Sequence, residues 1–172
     1  MWITLFGNKN TTVVSLFPCV IIKNIIMNQS FAVQMNLRPA DVVVVPITKF
    51  NVTAHFAVYR GIDVNGIHWY LENNHVYGVR WIDEGSFIAN NPTYKRIQCF
   101  QGNDYARTQA INRATSLLGR KYEWHNFNCE HYANFVQFGY YHSKQVNNVD
   151  GIVAGAALGL VAIALVGIFS GK

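Results

Sequence analysis

At Asp104 the period of the chain changes, and that change limits the architectures open to it. Upstream, short β-branched and aromatic runs alternate with turn residues: Asp41–Pro46, His55–Arg60, Ile67–Asn73, Val79–Ile82 and Tyr94–Phe100. These have the length and composition of strands, and Asp63-Val64-Asn65-Gly66 joins the second to the third as an Asn-Gly type hairpin turn. Downstream, Ala106, Ala110, Ala114, Leu117 and Leu118 recur at helical spacing until Gly119 ends the run. A further helix is expected from Asn128 through Phe135, Val136 and Phe138 to Gly139. Strands first and helices afterwards imply an α+β fold, an antiparallel sheet packed against helices. The 172 residues suffice for one such domain.

The two ends read differently. Ile152 to Phe169 (IVAGAALGLVAIALVGIF) carries no charge and no strong polar group, and Asp150 and Lys172 bracket it. That is the lower limit of length for a membrane-spanning helix. The expectation is a single-pass C-terminal anchor over 151–170. Gly151, Gly155 and Gly159 fall along one face of it and would permit self-association. Residues 143–150 are expected as a linker. Residues 1–36 form a poorly specified extension, since Val13–Met27 is apolar but Pro18 and Lys23 interrupt it. It lacks the charged start and small-residue cleavage site of a signal peptide. The globular part is then 37–142. A net charge of +5 suits an anionic surface. No Lys/Arg cluster interleaves with aromatics, so a membrane is the expected partner and nucleic acid is not.

Three cysteines, Cys19, Cys99 and Cys129, lie far apart without a CxxC pair. That count speaks against a secreted disulfide scaffold and for a reducing compartment. His125, Cys129, His131 and His142 match no familiar zinc spacing, and neither metal nor cofactor is expected. Cys129 stands apart because Asn126 and Asn128 are both good N-caps for the helix it opens. Unpaired N–H groups at a helix start favour a thiolate, and so does a neighbouring imidazolium. Such a cysteine is more often a small core residue, and His55, opening a strand, is equally at home as a satisfied strand-end residue. The strand's alternation sets His55, Ala57 and Tyr59 on one face and Phe56 and Val58 on the other. Together, Cys129 and His55 are what a Cys-His pair requires, however far apart in sequence.

The run from Arg107 to Phe138, RTQAINRATSLLGRKYEWHNFNCEHYANFVQF, resembles the nucleophile segment of the lecithin:retinol acyltransferase-like family. The family's Asn-Cys-Glu-His-Phe motif is Asn128-Cys129-Glu130-His131-Tyr132 here, after a Gly-x-x-Tyr stretch at Gly119–Tyr122. Its upstream block is matched by Ala40-Asp41-Val42 and by His55-Phe56-Ala57-Val58-Tyr59. The resemblance implies a circularly permuted papain-like fold of the NlpC/P60 type, histidine first and cysteine last. It implies His55 as general base and Cys129 as a nucleophile that takes an acyl group from a glycerophospholipid. Water, or an amine or alcohol acceptor, would then receive that group. With the tail, it implies a membrane-anchored acyltransferase or phospholipase whose catalytic domain faces the cytoplasm. The alternative is a papain-like cysteine amidase or protease, or a non-catalytic membrane-bound module.

The family usually carries a second histidine on the next strand to orient the first. Here His68, Glu72 and His75 compete for that place. Raw spacing favours His68. A hairpin centred between Val64 and Asn65 sets Ala57 opposite Glu72 instead, and register outranks spacing because one slip moves every side chain to the other face. Glu72 is the expected third member, since a carboxylate orients an imidazole and stabilises its cation. His131 is expected to pack or cap. Tyr122 and Trp124 are expected to line the site or fill the core. Arg107, Arg113, Arg120 and Lys121 read as a solvated helix face that could meet anionic lipid headgroups.

Overall fold

Four consecutive valines, Val42 to Val45, cannot follow a one-sided alternation, so a strand built from them needs cover on both faces. The computed structural model, which describes residues 29–47, 53–154 and 156, provides that cover. Five strands, β1 (Val42–Pro46), β2 (Ala54–Ile62), β3 (His68–Asn74), β4 (Gly78–Asp83) and β5 (Arg96–Gln98), form one antiparallel sheet in the order β4-β3-β2-β1-β5. On one face Val42, Val44, Phe56, Val58 and Leu71 pack against α3 (Asp104–Thr115) and α4 (Cys129–Phe138) through Ala110, Ala114, Tyr132 and Val136. On the other, Val43, Val45, Ala57, Tyr59 and Tyr70 meet Ala32 of α1 (Phe31–Gln34) and Phe87 of α2 (Glu84–Asn90). The α+β architecture is the expected one.

Two helices within 29–142 fall where the sequence reading has none. Asp83 caps α2 through a bond from the Ser86 N–H to its carboxylate. The helix is two turns long, too short for its periodicity to show. α1 lies inside the stretch read as an extension, yet Ala32 is buried and its N–H donates to Glu84. β5 is also shorter than the Tyr94–Phe100 run suggests.

The solvated-face reading holds for Arg120 and Lys121, which are exposed, and needs correcting for Arg107 and Arg113. Arg107 is buried, pairs with Asp41 at 2.9 Å, and donates to the carbonyls of Pro39 and Phe100. Asp41 also accepts the N–H groups of Arg38 and Phe100, so the pair ties α3 to the start of the sheet. Arg113 caps α4 by donating twice to the Val136 carbonyl. Arg120 lies over the Phe127 ring, 3.7 Å from its centroid. An alanine-rich stripe announces the apolar face of α3 but not which arginine turns inward.

From 144 to 154 the chain is helical (α5), and its first turn points Gln145 and Val146 inward. Ser143, Gln145 and Val146 of the expected linker are buried against the domain. Most of the expected anchor, including Gly155 and Gly159, lies outside the described residues. Among the described residues no helix is long and apolar enough to cross a membrane.

Candidate active site

The motif around Cys129 is a capping device. Asn128 adopts extended backbone, and its side-chain oxygen accepts the N–H groups of both Glu130 and His131. His131 answers by accepting the Asn128 N–H on Nδ1 at 3.3 Å, closing a reciprocal box. Burial lowers the pKa of His131, outweighing the opposing charge of Glu130, and a neutral ring is what an accepting Nδ1 needs. Glu130 reaches the next helix, accepting the Ser143 hydroxyl and the Gln145 N–H. Asn, Glu and His thus each fasten a helix end, and Cys129 stands at the first turn of α4. Its N–H has no acceptor within the helix, as for every first-turn residue.

β2 brings His55 to this helix start. The ring lies close enough to the Cys129 thiol for that group to raise its pKa, and its Nε2 lies 2.6 Å from Glu72 Oε2. Nδ1 is the nitrogen left for the thiol. Burial alone would lower the pKa of His55. Hydrogen bonds and charge from Cys129 and Glu72 overturn that and push it up to about 10. Glu72 is itself 2% exposed, and burial works to raise its pKa. His55 and Arg80 prevail, so its carboxyl is held below the usual range. Cys129 Sγ also lies 3.5 Å from the Ala54 carbonyl, and Gln145 Oε1 accepts the Ala54 N–H at 2.5 Å.

Glu72 pairs with Ala57 across the hairpin, the register expected from the turn, though by a different route. Ile62 pairs with His68 and Gly61 with Trp69, so the turn is centred later than the sequence reading sets it. A bulge between Tyr59 and Gly61 then restores the register, and Tyr59 meets Tyr70. His68 is left beside Tyr59, its Nδ1 2.7 Å from the Tyr59 hydroxyl. His75 lies exposed in the turn between β3 and β4.

A cleft of about 730 Å³ opens on His55, Glu72 and Cys129, and Ile47, Val76, Tyr77, Tyr122 and Trp124 give it apolar walls. Tyr122 and Trp124 therefore line the site. Burial and the charge on Cys129 raise the pKa of the Tyr122 hydroxyl. Among the described residues no group of three or more His, Cys, Asp or Glu side chains could hold a metal ion. Sequence reasoning missed Arg80, whose Nε and Nη2 reach Glu72 Oε1 at 2.8 and 2.7 Å. The signal was available, because a charged residue on β4 opposite a buried glutamate is a cross-strand ion pair. It needed the register of β4, set by a turn in which Asn74 accepts the Val76 and Tyr77 N–H groups and Gly78 is left-handed.

No protein-family model matches the chain. No solved structure matches it either. A stretch of 63 residues is 35% identical to phospholipase A and acyltransferase 3 of Pongo abelii, covering 36% of this chain and 39% of that protein. The chain therefore spans well under half the length of this relative. This partial match supports the resemblance of the Cys129 segment to the lecithin:retinol acyltransferase-like family.

Proposed function

We propose that the protein is a cysteine-dependent acyl-transfer enzyme acting on glycerophospholipid acyl esters. The observation that carries this reading is the His55 imidazole bonded to the Glu72 carboxylate and sharing one apolar-walled cleft with Cys129. A relative named phospholipase A and acyltransferase supports the same substrate class. In the proposed reaction His55 holds the thiol proton, and the thiolate attacks the acyl carbonyl carbon. The first-turn N–H of Cys129 is placed to donate to the oxyanion that develops. As the tetrahedral centre collapses, the carbon–oxygen bond to glycerol breaks and the leaving oxygen takes the proton from His55. Neutral His55 then draws a proton from water, or from an amine or alcohol, as that group attacks the thioester and frees the thiolate. Glu72 stabilises the imidazolium between these steps.

The same reading places the substrate in the membrane that holds the enzyme. The apolar Ile152–Phe169 segment begins within α5 and is proposed as the anchor, with the catalytic domain on the cytoplasmic side and Gly151, Gly155 and Gly159 as a face for self-association. The test is release of fatty acid, or of acylated acceptor, from phosphatidylcholine vesicles by wild type and by Cys129→Ala. The variant should show no turnover above background. Undiminished turnover would remove Cys129 as nucleophile.

A further inference from the structure

We propose that Arg80 is a positioning residue of this site, committing one oxygen of Glu72 to β4 so that the other faces His55. Three adjacent strands carry the row. Arg80 on β4 is directly opposite Glu72 on β3, and His55 on β2 is its diagonal neighbour on the far side. Arg80 places both Nε and Nη2 on Oε1, at 2.8 and 2.7 Å, and Asn74 adds a weaker bond to that atom at 3.3 Å. Among the described residues Oε2 is left to His55 alone, at 2.6 Å. The guanidinium is itself held over the Tyr77 ring, 4.5 Å from its centroid. A carboxylate this deeply buried tends to take up a proton unless a cation accompanies it. Protonated, Glu72 would no longer stabilise the imidazolium, and the acid limb of the site would move to higher pH.

The inference rests on the proposed role of Glu72. Among the described residues, the other groups that titrate or carry charge around it are His55 from β2, Cys129 from α4, and His75, Tyr77 and Tyr122 lining the same cleft. The experiment is the pH profile of Cys129 alkylation by iodoacetamide in the full-length protein, for wild type, Arg80→Leu, Arg80→Lys, Glu72→Gln and the double variant. Arg80→Leu should raise the acid limb by about one pH unit, about tenfold less alkylation at pH 5. Arg80→Lys, which keeps the charge but not the forked donors, should fall between it and wild type. In the Glu72→Gln background, Arg80→Leu should change the rate less than about twofold, because its effect passes through that carboxylate. If Arg80→Leu does not fold, Arg80→Lys carries the comparison, and a wild-type profile in it overturns the proposal. A normal response to Glu72→Gln with no response to either Arg80 variant removes Arg80 alone. A wild-type profile in Glu72→Gln removes the carboxylate reading, and the role of Arg80 falls with it.

Discussion

Glu72 Oε2 stands 2.6 Å from His55 Nε2, although the two residues sit on different strands and are not direct partners across the hairpin. They meet because Ala57 pairs with Glu72 and His55 lies two residues further along the same face. Glu72→Gln should therefore lower acyl transfer roughly 10²- to 10⁴-fold, as loss of the orienting carboxylate does in a triad. His68→Gln should cost far less, since His68 bonds Tyr59. Turnover of phosphatidylcholine by the two variants checks this. Equal losses, or a larger loss at His68, would reverse the assignment.

The His55 ring should stay protonated through neutral pH. Its cation is held by Cys129 and Glu72, so its NMR titration should inflect at about 10, well above the usual 6.5. Raising the pH through that range removes the imidazolium and the proton it would give to a leaving group. Cys129→Ser and Glu72→Gln should each move the inflection down. An inflection near 6.5 in wild type would mean that the ring lacks both partners in solution.

Arg107→Ala should destabilise the fold by about 3–5 kcal/mol, because it leaves the buried Asp41 carboxylate without its cation. A solvated arginine would cost within about 0.5 kcal/mol. Urea denaturation distinguishes the two, and Asp41→Asn combined with Arg107→Met should recover much of the loss. A near-neutral Arg107→Ala would show that the pair carries no weight.

Truncation should separate the two parts of the tail. A chain ending at residue 150 should lose vesicle binding in flotation assays, yet keep the alkylation profile of Cys129. A chain ending at 142 should lose that profile too, since Ser143 and Gln145 bond Asn128, Glu130 and Ala54 around the site. Vesicle binding by the 150-residue chain would contradict the anchor.

Much of this site was legible before the structure, because its determinants are local or periodic. The Asn128 cap is read from residue type and position, and the strand phase at His55 from alternation. The register at Glu72 is read from a turn. Even there the count reaches Glu72 only because the bulge at Arg60 offsets a turn centred later than expected. Local pattern is silent on partners distant in sequence. Nothing around Arg107 distinguishes it from Arg113 until Asp41 is brought beside it, and nothing in 143–150 shows that Gln145 holds the strand bearing His55. Arg80 lies only eight residues from Glu72, and it was hidden because the register of β4 is not read from local pattern.

Mass spectrometry of the acid-quenched protein after brief mixing with phosphatidylcholine vesicles tests the central claim most directly. The account predicts one added fatty acyl group on the peptide containing Cys129, released by neutral hydroxylamine as a thioester is, and absent from Cys129→Ala. Turnover that continues in Cys129→Ala, or an acyl group found on Cys99 and never on Cys129, would contradict it.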